Sequence, residues 1–242
     1  MTDQELDKLL IKRFLETQTP LGRIRLKVSA LWKQYSWRAV VSSALFFKRA
    51  FDLVASFTFL VVFSPLFFLI AILIKLEDGG PVFFPQKRVG KFGCVFKMWK
   101  FRSMCLDAEE QMKNLLEKNQ HKDGITFKIK DDPRVTGVGK WLRKFSLDEL
   151  PQFFNVLVGN MSLVGPRPPM PREVALYSMA DRRRLAVTPG ITCFWQIGGR
   201  SEIDFSDQVR LDVSYIESQS FWLDVKILIK TVPAVLCSKG AY

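Results

Sequence analysis

The sequence predicts an α+β chain, mainly helical, with a re-entrant membrane helix and a small cytosolic domain that contains a short β-hairpin. Three observations carry this. Residues 51–74 are almost continuously apolar but are interrupted by Ser64-Pro65. Basic residues dominate on both sides of that run. Two apolar-rich stretches, Val82-Phe83-Phe84 and Val95–Phe101, flank a turn through Gly90 to Gly93.

In chain order, residues 1–20 are polar and mixed in charge, fitting a short helix or a loose tail. Residues 21–47 mix Arg23, Arg25, Lys27, Lys33 and Arg38 with Ile24, Leu31, Trp32, Trp37 and Val41. That pattern suits an interfacial amphipathic helix, or equally a helix packed on its own domain. Together residues 1–47 form an N-terminal tail and interfacial segment, 48–76 the re-entrant helix, and 77–242 the membrane-associated cytosolic domain.

The 51–74 run is long enough to span a bilayer if straight. Pro65 removes a backbone hydrogen bond and clashes one turn back, so a bend is expected, and the Ser64 hydroxyl can re-satisfy the freed carbonyl. Each half is then too short to cross alone. Residues 1–49 carry 10 Lys+Arg against 4 Asp+Glu, and residues 75–102 carry 7 against 2. Basic flanks favour the cytoplasmic side, so a helix that enters and returns fits better than one that crosses. Asp52 is costly in hydrocarbon, and Lys48 or Arg49 is placed to pair with it.

Beyond the hairpin, residues 104–120 predict an amphipathic surface helix, His121 to Asp132 a polar loop, and Lys140 to Lys144 a basic helical turn. Residues 152–158, 172–186, 206–218 and 221–237 complete the helical pattern.

Composition narrows function. The 242 residues are 48% apolar, include 21 Phe and carry a net charge of +12. Such a balance calls for a polyanionic partner, nucleic acid or an anionic membrane surface. The apolar load favours membrane lipids, and with no RNA-binding or zinc-finger signature a nucleic-acid partner is not expected. Cys94, Cys105, Cys193 and Cys237 lack metal spacing and read as reduced thiols. His121 is the only histidine and lies in a polar stretch, which argues against a Ser-His-Asp triad. Neither a P-loop nor Gly-x-Gly-x-x-Gly is present.

The stretch Ser146–Pro168 carries the chemistry. Ser146-Leu147-Asp148-Glu149-Leu150-Pro151 places two adjacent carboxylates at a helix start, and Gly165-Pro166-Arg167-Pro168 holds an arginine between prolines. Ser146 and Glu149 fit a capping box, and acidic residues suit a helix N-terminus in any case. The same pair suits phosphate chemistry. Mg²⁺ takes one or two carboxylates plus phosphate oxygens, an aspartate can attack phosphorus, and Arg167 can grip a phosphate bidentately.

Taken with Lys48-Arg49 and Asp52, Ser64-Pro65, Gly80–Phe84, Lys100–Met104, Asn155-Val156-Leu157, Met161–Pro168, Pro189–Thr192, Gly199-Arg200 and Gly240-Ala241-Tyr242, these motifs make the chain resemble the bacterial sugar transferases, also called monotopic phosphoglycosyl transferases. The match runs from about residue 48 to the C-terminus. The resemblance implies a cytosolic catalytic domain on the inner membrane of a bacterium. It implies transfer of a phospho-sugar from a UDP-sugar to polyprenol phosphate, with release of UMP, at the start of a surface polysaccharide or glycoconjugate. It assigns Asp148 and Glu149 as catalytic, with Asp148 the nucleophile and a ligand of a required Mg²⁺, for which Mn²⁺ is a substitute. Arg167 is assigned to phosphate and Arg200 to the nucleotide. Beside them Arg88, Lys100, Arg102 and Arg143 would offset phosphate charge, and a homodimer is left open.

Two rivals come from other classes. A metal-dependent glycosyltransferase that releases UDP normally carries Asp-x-Asp, which does not occur here; Asp131-Asp132 lacks the spacing. A non-enzymatic adaptor for anionic lipids explains the charge and the apolar run, but not the Asp-Glu, Pro-Arg-Pro and Gly-Arg set.

Overall fold

The computed structural model describes residues 3–108, 110–111, 132–198 and 203–236. Most of the helix expected over 104–120, the polar stretch 121–131 and Arg200 lie outside the described residues. The chain divides into two compact units, Met1–Lys48 and Arg49–Tyr242.

The first unit holds α1 (Asp3–Thr17) and the first part of α2 (Pro20–Val62). Proline at the first helical position costs no hydrogen bond, and the Thr19 hydroxyl accepts the Gly22 N–H at 3.1 Å. A Cβ at Gly22 would lie 2.0 Å from the Glu16 carbonyl oxygen, so only glycine allows so tight a turn between α1 and α2. Along α2, Leu21, Ile24, Leu31, Trp32 and Tyr35 are all exposed.

In the second unit, α2 ends at Val62 and α3 (Ser64–Asp78) leaves at 60° to it. The cause is local. Pro65 has no N–H for the Val61 carbonyl four residues back, and the Ser64 hydroxyl donates to that carbonyl at 2.8 Å. No single helix among the described residues is long and apolar enough to cross a membrane; α2 and α3 together meet the length and composition as a bent pair. Gly79 ends α3 in the left-handed conformation, φ 71°, with its N–H on the Lys75 carbonyl at 3.0 Å.

Strands β1 (Phe83–Val89) and β2 (Val95–Phe101) form the expected antiparallel hairpin, with Phe84 opposite Lys100 and Arg88 opposite Phe96. Phe92 (φ 56°) and Gly93 (φ 84°) are both left-handed, the hand that matches strand twist in a tight hairpin. Helix α4 (Gly137–Lys144) is capped by Thr136, whose hydroxyl accepts the Gly139 N–H at 3.0 Å. Helix α5 (Gln152–Val158) follows and ends at Gly159, φ 96°.

Two features depart from the sequence reading. A pair of three-residue parallel strands, β3 (Ser162–Val164) and β4 (Gly190–Thr192), joins segments far apart in sequence. The helix expected over 172–186 is two short pieces, α6 (Pro171–Ala175) and a 3₁₀ segment Asp181–Ala186. Between them, Ser178 donates both its N–H and its hydroxyl to the Asp181 carboxylate, at 2.8 and 2.7 Å, and this local turn replaces helical hydrogen bonds. The chain then forms α7 (Phe194–Gly198), α8 (Phe205–Ser218) and α9 (Phe221–Leu236).

Two apolar clusters position the site. Met98, Val156, Met161, Leu163, Val164, Tyr215 and Ile227 join the hairpin, α5, β3, α8 and α9. Ile70, Ile74, Phe101 and Leu142 join α3, β2 and α4, with Leu147 and Leu150 packed against them.

Candidate active site

Asp148 and Glu149 sit in a single 3₁₀ turn, Leu147–Glu149, one turn ahead of α5. The capping box expected from Ser146 is not formed. Ser146 is left-handed, φ 54°, and its side chain caps nothing; a Pro151 placed just before α5 shifts that helix downstream. Leu147 and Leu150, packed into the α3–α4 cluster, fix the turn from its apolar side.

Each basic partner arrives from a different element. Lys100, near the end of β2, places Nζ 2.7 Å from Glu149 Oε1. Asn155 of α5 secures that strand, donating to the Lys97 carbonyl at 2.7 Å and accepting the Trp99 N–H at 2.9 Å. Arg143, in the last turn of α4, donates through Nε to the Ser103 hydroxyl at 3.0 Å. Arg88, buried in β1, donates to the Pro168 carbonyl at 3.0 Å and twice to Gln86 Oε1. Arg167 is exposed, its guanidinium 5.9 Å from the centroid of the buried Trp195 ring.

The β3–β4 pair explains how Arg167 and Trp195 meet. Gly165 N–H donates to the Thr192 carbonyl at 3.0 Å, and Gly190 N–H to the Pro166 carbonyl at 2.9 Å. A Cβ on Gly190 would lie 2.1 Å from Gly165 N, so this crossing requires glycine.

The two carboxylates differ in electrostatics. Burial pushes Asp148 up to about 6; Lys100 and Arg143 oppose the push, and neighbouring Glu149 adds to it. Burial acts on Glu149 too, but Lys100, Arg167 and Arg88 together outweigh it and hold that carboxyl below its ordinary value. Burial also lowers Arg88, to about 9, and it stays charged at neutral pH. Burial lowers Arg143, while Asp148 and Asp132 hold it up.

The structure thus gathers Asp148, Glu149, Lys100, Arg143, Arg88 and Arg167 into one electrostatic group. Arg102 is engaged elsewhere. Its Nη1 donates to Asp78 Oδ2 at 2.6 Å, its Nη2 to Asp78 Oδ1, and its Nε to the Pro81 carbonyl at 2.8 Å. With every guanidinium nitrogen occupied, Arg102 ties the end of α3 to the end of β2. Among the topology residues, Arg49 donates to the carbonyls of Val156 and Leu157, and Asp52 accepts the Leu163 N–H at 3.2 Å. Lys48 closes the first unit.

Sequence reasoning missed Gln86, Ser103, Trp195 and the Asp132–Arg134 ion pair, whose atoms are 2.6 Å apart. Gln86 and Arg88 share one strand face at period two, a signal that was present. Ser103 lies inside the Lys100–Met104 motif, whose basic residues drew the functional reading while its hydroxyl did not.

No group of three or more metal-ligating side chains occurs among the described residues. The two adjacent carboxylates meet the protein's share of a site for a cation of the Mg²⁺ type, which takes one or two carboxylates and completes its shell on phosphate oxygens and water.

A family model described as bacterial sugar transferase matches residues 43–238. The chain belongs to this family. It is 47% identical over 208 residues to the galactosyl transferase CpsE of Streptococcus agalactiae, across 86% of this chain and 46% of that protein. It is 43% identical over 198 residues to the exopolysaccharide production protein ExoY of Rhizobium meliloti, across 81% of this chain and 88% of that protein. It is 44% identical over 207 residues to the undecaprenyl-phosphate galactose phosphotransferase of Salmonella typhimurium, across 83% of this chain and 42% of that protein. This bacterial sugar transferase therefore spans less than half the length of the first and third relatives and most of the second. Its carboxylate turn, with Arg88, Arg143 and Arg167, lies wholly inside the matched range.

Proposed function

We propose that this bacterial sugar transferase moves a sugar-1-phosphate from a UDP-sugar to polyprenol phosphate at the cytoplasmic face of the bacterial inner membrane, beginning a surface polysaccharide or glycoconjugate. The acceptor named for the Salmonella relative supports this reading. The observation that carries it is the division of labour between the carboxylates. Glu149 is ion-paired to Lys100, whereas Asp148 is buried with its charge destabilised, which makes it the stronger nucleophile of the two.

In this reading an Asp148 carboxylate oxygen attacks the sugar-bearing phosphorus. The new O–P bond forms as the bond to the bridging oxygen breaks, and UMP leaves with that electron pair. A phosphate oxygen of polyprenol phosphate then attacks the same phosphorus, the aspartyl bond breaks, and the carboxylate is restored. Arg167 and Arg88 on the Glu149 side, and Arg143 on the Asp148 side, offset the charge of the phosphates. Asp148 and Glu149 would hold Mg²⁺, which supplies charge neutralisation between carboxylates and phosphates. The bent α2–α3 pair enters and leaves the membrane from one side, so the site meets a lipid-borne acceptor and a cytosolic donor at one surface.

The test is product analysis. Purified protein in nanodiscs, given undecaprenyl phosphate and a panel of UDP-sugars, should release UMP with at least one donor. Release of UDP, or of no nucleotide with any donor, would refute the assignment.

A further inference from the structure

The two limbs of the bent helix pair grip the two ends of the segment that carries the carboxylates. From α2, Arg49 donates through Nη1 to the Val156 carbonyl at 2.6 Å and through Nη2 to the Leu157 carbonyl at 2.9 Å. These carbonyls belong to the last turn of α5, where the Gly159 N–H also reaches the Val156 carbonyl at 3.1 Å, so Arg49 adds a second donor at Val156 and supplies one at Leu157. A Cβ on Gly159, the next left-handed residue, would lie 3.4 Å from the same Nη2. From α3, Glu77 Oε1 accepts the Val138 N–H at 3.0 Å, in the first turn of α4, where donors are the orphans.

Helices α4 and α5 are the outer parts of one segment, Gly137–Val158, with the Leu147–Glu149 turn at its middle. One limb therefore holds the start of that segment and the other holds its end. Apolar contacts follow this division in part, since Phe67 of α3 also meets Phe154 of α5 edge-on with centroids 6.3 Å apart. Leu66, Ile70 and Ile74 of α3 pack with Val138, Leu142, Leu147 and Leu150, while Phe59 of α2 stacks on Phe153 with centroids 4.0 Å apart. The break at Ser64-Pro65 lies between the two clamps along the chain.

We infer that Arg49 and Glu77 are positioning residues, which hold the ends of Gly137–Val158 so that the turn keeps Asp148 and Glu149 against Lys100. The inference rests on reading those carboxylates as the reacting pair. It assigns Arg49 a task beyond membrane topology, and Glu77 one that depends on an acceptor oxygen and not on charge.

The full chain in nanodiscs tests it with two readouts, UMP release and amide hydrogen exchange of residues 145–151. Glu77→Gln keeps the acceptor, so turnover and exchange should stay within about twofold of the parent. Glu77→Ala and Arg49→Ala should each lower kcat about tenfold, leave both KM values within about twofold, and speed exchange of the turn about tenfold. Exchange of the β1–β2 hairpin should not change, which distinguishes displacement of the turn from loss of the fold. Arg49→Lys keeps charge and one donor group and should recover part of the loss, and it stands in should Arg49→Ala not fold. Glu77→Gln as impaired as Glu77→Ala, unchanged exchange in both alanine variants, or faster exchange with unchanged turnover would each overturn the inference. A parent protein that releases no UMP counts against the transfer reading, and the exchange readout still judges the clamp.

Discussion

Lys100 reaches across from β2 to Glu149, Nζ 2.7 Å from Oε1, and gives two adjacent carboxylates unlike surroundings. Glu149 is held ionised by Lys100, Arg167 and Arg88 against its burial, while burial drives Asp148 toward its protonated form. Chain neighbours with opposed shifts are what a site needs when one group must react and the other must hold charge.

Asp148 should therefore show itself in pH dependence. Its value in the fold, about 6, lies above the ordinary 3.8. The proton favours the folded state, so this contribution to stability is complete below the ordinary value and is lost as pH rises through about 6. Asp148→Asn should thus be more stable than the parent at pH 8, by on the order of 2 kcal/mol, with the gain vanishing near pH 4. Its turnover should fall by roughly 10⁴-fold or more, as for loss of a nucleophile. Glu149→Gln should also abolish turnover while leaving folding intact. Thermal melts at both pH values with UMP assays check this; a destabilised, active Asp148→Asn would contradict it.

Arg167 should not tolerate lysine. Lysine lacks the planar fork that grips phosphate bidentately and the flat cation that lies over Trp195. Arg167→Lys should lose roughly 10- to 100-fold in kcat/KM, the range for a charged hydrogen bond. Parent-like kinetics would mean that Arg167 supplies charge alone.

How much of this was legible follows from how local each signal is. The helix break, the hairpin and the carboxylate turn are dictated by neighbours in sequence: Ser64-Pro65, the left-handed pair at Phe92-Gly93, and Leu147 to Pro151. The partners of long side chains are not. Arg49 binds a carbonyl 107 residues away, and Arg102 a carboxylate 24 residues back, whereas the sequence suggests the nearby Asp52 for Arg49 and a phosphate for Arg102. The β3–β4 pair is three residues long on each side, too short for any periodicity, yet it brings Arg167 to Trp195.

Divalent cation should be required. Two acids beside substrate phosphates need positive charge between them beyond what Lys100 supplies to Glu149. EDTA should abolish UMP release, and Mg²⁺ or Mn²⁺ should restore it. Full activity in chelator, with no metal in elemental analysis, would contradict this.

Topology should follow the bend. With native cysteines removed, Leu45→Cys and Pro81→Cys should both resist a membrane-impermeant thiol reagent in intact spheroplasts and react once the membrane is opened. Replacing Ser64-Pro65 with Ala-Leu should straighten the helix and let some molecules span. Labelling of one site alone in the unaltered helix would show that it crosses.

The central claim, that Asp148 carries the phospho-sugar between donor and acceptor, is tested most directly by trapping. The protein is incubated with UDP-sugar labelled in the sugar-bearing phosphate, without acceptor, then digested and mapped. The account predicts label on the peptide containing Asp148, one per chain, formed with equal UMP, cleaved by hydroxylamine, discharged by polyprenol phosphate and absent in Asp148→Asn. UMP release that needs acceptor from the start and leaves the chain unlabelled would contradict it, and transfer would then be a direct displacement.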